Sequence, residues 1–260
     1  MEETEEVRVI ILGSGTGLPS SFRGSASIVF HYQGRWFLFD IGPGTLRQLT
    51  RIGIDHSRIE AIWVTHFHPD HTADLIHLIF ATKHPKVLEH RKAFKLFGPR
   101  GVKQFVSDLQ KAYGSYLALP KGVMHIEELH PSPQCATVWE ELCFWVAPTQ
   151  HTLESVAYRM ETKAGTSIVY SGDSDFCQEL ISLSKGADLL ILEASFPREE
   201  KVKGHLTPEE AGIIADQAKV KRLVLTHFYP ECLKTNIGEA CRKYFGGEIT
   251  IASDFLTLVL

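Results

Sequence analysis

The sequence predicts an α/β fold, an αββα sandwich, from two observations. Short apolar runs that are partly β-branched recur along the chain, and several end just before a residue that can bind a metal. Residues 65–69 and 226–230 differ at a single position, and residues 36–42 and 167–173 each read as a strand that ends near Gly and Asp. The chain is therefore expected to contain two similar halves, whose facing sheets carry a metal site along their shared edge.

Length and composition predict one domain over residues 1–260. A chain of 260 residues with 44% hydrophobic residues has enough apolar material for a sizeable core, and no shift in composition calls for a second domain. No stretch approaches the roughly 20 apolar residues that span a bilayer. The start, residues 1–6, is acidic rather than basic, and five scattered cysteines without a Cys-x-x-Cys pair suit reduced core thiols. The sequence therefore predicts a cytoplasmic protein.

The densest group of candidate ligands follows the apolar run at residues 61–64. His66, His68, Asp70 and His71 place three imidazoles and a carboxylate within six positions. Pro69 is expected to end regular structure, so that a loop aims His66 and His68 at one metal and Asp70 and His71 at a second. The alternative is a histidine-rich surface loop, which the density of ligand-type residues disfavours.

Three later residues follow apolar runs in the same way. His151 comes after residues 143–147, Asp173 after residues 167–170, and His227 after residues 223–225. Side chains just beyond buried strands collect at one edge of an α/β structure. Taken alone, His151 or Asp173 would more often be an ordinary loop residue than a ligand.

The His-x-His-x-Asp-His pattern at residues 66–71 resembles the signature of the metallo-β-lactamase superfamily of hydrolases. The resemblance implies the metallo-β-lactamase fold and two divalent metal ions, with Zn²⁺ favoured and Mn²⁺ or iron allowed. It assigns His66, His68 and His151 to one metal and Asp70, His71 and His227 to the other, with Asp173 as the bridge. A hydroxide between the metals would attack the substrate, and Asp70 would also accept a proton from that water.

The opening residues 12–20, followed by Arg23 and Ser27, resemble those of ribonuclease Z and its relatives. The Gly-rich turn at residues 13–17 lacks the Gly-Lys-Ser/Thr ending of a P-loop, so we interpret its glycines as turn formers. The resemblance implies a phosphodiesterase.

Two further residues receive catalytic roles from the same resemblance. Thr207 and Glu210 form a capping-box pattern around Pro208, which places His205 just before a helix N-terminus. Ribonuclease Z-like phosphodiesterases carry a similar His-x-Thr element, which implies that His205 assists the leaving group and that Glu193 orients His205. The alternative is that Glu193 is an ordinary carboxylate at the end of a strand.

Asp40 ends a predicted strand near the site. It is expected to orient a ligand loop, and the alternative is a structural role in a turn.

The substrate is expected to be a small phosphodiester, a cyclic nucleotide or an RNA 3′ region. Ribonuclease Z enzymes usually carry a Gly/Pro-rich arm for tRNA and a Gly-Leu-Pro-Gly stretch soon after the metal loop. Residues 73–80 do not show that stretch, and the arm is not evident in the sequence. Residues 83–103 hold seven Lys or Arg against Glu89, a pattern typical of a phosphate-binding patch or of a solvated face.

Several other functions share the same metal core. A lactonase, thioesterase or sulfatase, a non-haem iron oxidoreductase such as a persulfide dioxygenase, and an inactive metal-binding scaffold are the alternatives. The seven filled ligand positions argue against the scaffold. Relatives in this branch are often dimers, so a homodimer is expected as well.

Overall fold

The structure, a computed structural model, describes residues 6–260. This part of the chain divides into two compact units. The first unit comprises residues 6–13, 19–128 and 254–260, and the second comprises residues 14–18 and 129–253. Each unit is built on one seven-stranded mixed sheet.

The described residues form strands and helices with the following bounds. The strands are β1 (Arg8–Gly13), β2 (Ser27–Tyr32), β3 (Arg35–Phe39), β4 (Ile59–Trp63), β5 (Phe94–Gly98), β6 (Met124–Glu128), β7 (Thr137–Trp139), β8 (Leu142–Pro148), β9 (Val156–Thr162), β10 (Ser167–Tyr170), β11 (Leu189–Glu193), β12 (Arg222–Thr226), β13 (Glu248–Ile251) and β14 (Thr257–Val259). The helices are α1 (Thr45–Arg51), α2 (Pro69–Thr72), α3 (Asp74–Thr82), α4 (Pro85–His90), α5 (Val102–Tyr113), α6 (Gln178–Ser184), α7 (Pro208–Ala218), α8 (Pro230–Leu233) and α9 (Ile237–Arg242), with short 3₁₀ turns at His56–Arg58, Gly114–Leu117 and Arg198–Glu200.

The two sheets repeat one pairing pattern. The first has the order β14-β1-β2-β3-β4-β5-β6 and the second, read from its other edge, β7-β8-β9-β10-β11-β12-β13. In each sheet the first three pairings are antiparallel and the last three are parallel. The predicted similarity of two halves is thus present in the topology.

Of the two pairs of similar segments found in the sequence, only one lies at equivalent strands of the two sheets. Residues 36–42 include most of β3 and residues 167–173 include β10, and each of these strands is the last antiparallel strand of its sheet. Residues 65–69 follow β4, the parallel neighbour of β3, whereas residues 226–230 begin at the last residue of β12, which lies one strand further from β10. The similarity of residues 65–69 and 226–230 therefore reflects similar candidate ligands after a strand, and not equivalent positions in the two sheets.

Each unit has its own apolar core. In the first unit, α3 buries Leu75, Leu78 and Ile79, which are spaced to lie on one face of the helix. This helix occupies the region where the sequence lacks a Gly-Leu-Pro-Gly stretch. In the second, α7 buries Ala211 and Ile214, and its predicted capping box is present, because Thr207 accepts from the Glu210 N–H while Glu210 accepts from the Thr207 N–H.

The Gly-rich turn after β1 is a structural turn, as expected. No helix forms in residues 14–26, so a phosphate-binding helix N-terminus is absent from this stretch of the described chain. A Cβ atom on Gly13 would lie 1.8 Å from the Ser25 carbonyl oxygen, so only glycine allows this close approach of the two backbone segments.

The expectation of five reduced thiols is wrong for one pair. Cys135, two residues before β7, and Cys143, in β8, form a disulfide, a pairing that sequence separation alone does not reveal. Cys177, Cys232 and Cys241 are buried and free, and burial raises the pKa of Cys232 and Cys241 to about 12, which makes them inert small hydrophobes.

Only some of the residues on which the predicted cytoplasmic location rests are described by the structure. The acidic start, residues 1–5, lies outside the described residues. Among residues 6–260, none of the helices combines the length and the apolar character that crossing a membrane requires.

Candidate metal centre

The first unit brings four predicted ligands to the carboxyl end of β4. His66 is buried, His68 is exposed, and their ring centroids lie 4.6 Å apart. Asp70 and His71 follow, with His71 Nε2 3.8 Å from Asp70 Oδ2. The predicted loop is wrong in one respect, because Pro69 begins helix α2 at its first position instead of ending regular structure.

Asp40 holds these ligands from the neighbouring strand. Its fully buried carboxylate follows β3 and accepts a hydrogen bond from His71 Nδ1 at 2.7 Å and from the Thr65 N–H at 2.8 Å. The Thr65 hydroxyl also donates to Asp40, and its oxygen lies 3.1 Å from His66 Nδ1. Both histidines thereby keep Nε2 for a metal. The expected contact between Asp40 and the ligand loop is present.

The second unit collects its three predicted ligands after β8, β10 and β12. Asp173 is almost fully buried and lies between two histidines. Its Oδ2 is 3.6 Å from His151 Nε2, and its Oδ1 is 3.4 Å from His227 Nε2. One carboxylate thus presents a different oxygen to each histidine, a geometry that is compatible with the predicted bridge.

Both of these histidines are oriented through Nδ1. His151 Nδ1 donates to the Gly204 carbonyl oxygen at 2.8 Å, and His227 Nδ1 lies 3.0 Å from Ser195 Oγ. A hydrogen bond at Nδ1 fixes the tautomer and leaves the lone pair on Nε2, the atom that faces Asp173.

Glu193 makes more hydrogen bonds with the site than sequence reasoning predicted. This fully buried carboxylate ends β11 and accepts from His205 Nδ1 at 3.1 Å, which is the predicted contact. It also accepts from Ser195 Oγ at 2.5 Å and from the Ser174 N–H at 2.8 Å. Ser195 links it to His227. Ser174, the residue directly after Asp173, is held by Glu193 through its backbone N–H. Ser195 was missed because no spacing rule marks a serine two residues after an acid.

His205 lies against the ligands of the second unit. Its ring is nearly parallel to that of His227, with centroids 5.9 Å apart, and its side chain is largely buried. Asp173, His205 and His227 offer ligand atoms within 4.8 Å of one another. The geometry therefore allows His205 either to transfer a proton beside the metals or to bind one.

The donor atoms fit divalent metal ions. The candidate set contains five imidazoles and two carboxylates, a combination suited to zinc with room for a harder ion. His66, His71, His151 and His227 all have Nδ1 within hydrogen-bond distance of an oxygen atom. Imidazoles bound this way at Nδ1 are oriented for metal binding through Nε2.

Replacement of Asp40 by asparagine is expected to weaken zinc binding about 10- to 100-fold, because the two oxygens of Asp40 accept from Thr65 and His71 separately and an amide keeps only one accepting oxygen. Competition with a chelator measures the affinity. Asp55→Asn is the matched control, since Asp55 also accepts a backbone N–H, from Ser57 at 2.7 Å, on the exposed surface of the same unit. Equal zinc affinity of the Asp40→Asn variant and the wild type would contradict this role.

Part of the basic segment 83–103 is structural. Arg91 is buried, donates to the His56 carbonyl oxygen at 2.8 Å and stacks over the Phe94 ring at 4.2 Å. Burial lowers its pKa to about 10. Two further contacts occupy lysines: Lys83 donates to the Ser115 carbonyl, and Lys95 pairs with Glu127 at 3.5 Å. These three cations are not a free binding surface.

The other four basic residues separate into two groups along β5. Lys86 and Lys92 precede this strand, whereas Arg100 and Lys103 follow it, and all four are exposed. Because β4 and β5 are parallel, the second group shares the edge that carries His66. A Cβ atom on Gly101 would lie 3.5 Å from the Phe67 ring, so this turn contacts the ligand loop.

Comparisons with known proteins identify the family of this chain. The family model described as "Beta-lactamase superfamily domain" matches residues 35–228. A ribonuclease Z of Thermococcus sibiricus is 30% identical, with 96% of this chain and 95% of the relative covered. A ribonuclease Z of Brevibacillus brevis is 28% identical, with 85% of each chain covered.

Solved structures show the same fold. The metallo-β-lactamase fold protein YhfI from Bacillus subtilis has a TM-score of 0.86 at 24% identity, with 98% of this chain and 100% of that chain covered. The short form of human tRNase Z has a TM-score of 0.77 at 26% identity, with 96% of this chain and 98% of that chain covered. The predicted αββα fold class is confirmed.

The relatives also carry sequence that this chain lacks. The alignment with the Thermococcus sibiricus protein extends over 296 positions, more than the 260 residues of this chain, although 96% of this chain takes part. Several tens of positions of that relative therefore have no counterpart. The chain belongs to the metallo-β-lactamase superfamily, in its ribonuclease Z-like branch of metal-dependent hydrolases.

Proposed function

We propose that this protein is a phosphodiesterase with a dinuclear zinc centre. His66, His68 and His151 would hold one ion and Asp70, His71 and His227 the other, with Asp173 as the bridge. The observation that carries the proposal is the Asp173 carboxylate, whose two oxygens face Nε2 of two different histidines. The family match across residues 35–228 supports a single domain that includes all seven ligands.

The chain's own residues supply orientation and proton transfer. When bound, the two ions lower the pKa of a water molecule and neutralise the charge that develops on the attacked phosphate. Asp70 would accept a proton from that water. His205, held at Nδ1 by Glu193, would pass a proton from Nε2 to the departing oxygen, and the buried Glu193 would keep the ring in this orientation.

The substrate we propose is a small phosphodiester, such as a cyclic nucleotide, or the 3′ end of a short RNA. The relatives named ribonuclease Z support a phosphodiester, whereas the positions that this chain lacks support the absence of a tRNA-binding arm. Between consecutive elements of residues 6–260, the longest connection is residues 14–26. A homodimer and a cytoplasmic location stay predictions from the sequence.

Charge reversal tests whether an oligonucleotide binds beside the ligand loop. The double variant Arg100→Glu, Lys103→Glu is expected to weaken binding of a short RNA and to flatten its salt dependence, by about 0.7 in log–log slope for each phosphate that is no longer neutralised. Lys86→Glu, Lys92→Glu is the matched control, with the same charge change at the other end of β5. Fluorescence anisotropy at several salt concentrations measures both. Equal effects of the two pairs, or none, would exclude a binding surface at this edge.

Hydrolysis of bis-p-nitrophenyl phosphate by zinc- and manganese-loaded protein, beside a thioester and a lactone, tests the proposed function. We expect turnover of the diester alone. Turnover of an ester without the diester would overturn the substrate class and favour a lactonase or thioesterase. Bound iron together with oxygen uptake would favour the oxidoreductase alternative.

A further inference from the structure

The loop that carries His205, residues 201–207, is held by its backbone. Three carboxylates each accept one N–H from it: Asp175 from Gly204 at 2.9 Å, Glu193 from Leu206 at 3.1 Å and Glu210 from Thr207 at 2.9 Å. The amides on both sides of His205 are therefore fixed. A histidine in such a loop keeps one position instead of sampling many.

Lys201 joins two of these carboxylates. Its Nζ lies 2.6 Å from Asp175 Oδ1 and 2.6 and 2.5 Å from the two oxygens of Glu210. All three side chains are about one quarter exposed, whereas Lys221, which pairs with Asp188 at 2.6 Å, is 71% exposed. A partly desolvated network of three charges is held more firmly than an exposed pair.

The charge on Lys201 is secured by its partners. Burial by itself would lower its pKa, but the hydrogen bonds and charges of Asp175 and Glu210 outweigh burial and raise the pKa above its usual value. The ammonium group therefore stays protonated, with its donors directed at the two carboxylates.

The contacts of Asp175 extend to a metal ligand. Asp175 fixes the Gly204 N–H, and the Gly204 carbonyl oxygen accepts from His151 Nδ1 at 2.8 Å. The Asp175 N–H also donates to the Gln150 carbonyl oxygen at 2.8 Å, one residue before His151. Displacement of Asp175 would thus move His151 and the His205 loop together.

We propose that Lys201 is a positioning residue that sets His151 and His205 jointly, so that the metal ligand and the proton donor keep one relative geometry. The ammonium group binds the beginning of the loop to Asp175, which orients His151 through Gly204. It binds the same point to Glu210, which caps the end of the loop at Thr207. This role rests on the proposed function, since it concerns the proton donor and ligand of that reaction.

Lys201→Met tests the proposal, with Lys201→Arg as the conservative variant and Lys221→Met as the matched control that removes a lysine–carboxylate contact elsewhere in the same unit. Glu210→Gln is a milder second variant, because it weakens the contact with Lys201 and retains an oxygen to accept the Thr207 N–H. The readouts are hydrogen exchange of residues 201–207, zinc affinity by chelator competition, and the kcat and KM of diester hydrolysis.

For Lys201→Met we expect faster exchange in the loop, weaker binding of one zinc equivalent by about 10- to 100-fold, and a fall in kcat with little change in KM. Glu210→Gln should show smaller changes in the same direction, Lys201→Arg should recover most of the loss, and Lys221→Met should match the wild type. Wild-type exchange and zinc affinity in Lys201→Met would overturn the proposal, as would no recovery in Lys201→Arg or equal losses in Lys221→Met. If the wild-type protein hydrolysed no diester, the proposed function would fail, while exchange and zinc affinity would still decide the role of Lys201.

Discussion

Replacement of His205 by alanine is expected to leave both zinc equivalents bound while phosphodiester turnover falls about 10²- to 10⁴-fold, the usual contribution of a positioned general acid. His205 Nδ1 is engaged by Glu193, so Nε2 is the atom that remains for proton transfer. Metal analysis of the purified variant, beside its rate on a diester with an alkoxide leaving group such as a dinucleotide, measures both quantities. Bis-p-nitrophenyl phosphate, whose leaving group departs without a proton, should retain much of its rate in the same variant.

The same variant separates the two roles that the geometry allows. Asp173, His205 and His227 offer ligand atoms within 4.8 Å of one another, which is compatible with His205 as a ligand. Loss of one zinc equivalent in His205→Ala would show that it binds metal and would contradict its assignment as a proton donor. His90→Ala, at a strongly exposed histidine, is the control and should retain both metals and the full rate.

Replacement of Asp173 by alanine is expected to remove metal and rate together, because in the proposed centre this carboxylate would bind both ions. At zinc concentrations where the wild type binds two equivalents, the variant should bind fewer than two. Its turnover should approach the uncatalysed rate. Titration calorimetry of the metal-free variant measures the loss.

Asp188→Ala is the matched control for Asp173→Ala. It removes a partly buried carboxylate of the same unit that accepts from the Ser167 N–H at 2.8 Å, away from the candidate ligands. This variant should bind two zinc equivalents. Full zinc binding by Asp173→Ala would contradict the bridging role.

Much of the site was predictable because metal binding restricts residue type. Imidazole and carboxylate groups that follow apolar runs are few, and strand β10 coincides with the predicted run at residues 167–170. The capping box at Thr207 was predictable for a similar reason, since its two side chains occur at a fixed spacing.

The supports of the ligands were less visible in the sequence. Gly204 orients His151 through a backbone carbonyl, and Ser174 contacts Glu193 through a backbone N–H, groups that every non-proline residue offers. The link from Ser195 to His227 joins residues 32 positions apart, which only the fold brings together. Pro69 was misjudged because proline ends a helix from within but favours its first position.

The account depends most directly on two metal ions acting together on a phosphodiester. The rate of bis-p-nitrophenyl phosphate hydrolysis, measured as zinc is added to the metal-free protein, tests this claim in one experiment. The account predicts a rate that rises until two equivalents are bound and then stays constant. A rate that is complete at one equivalent, or no turnover at any zinc concentration, would contradict it.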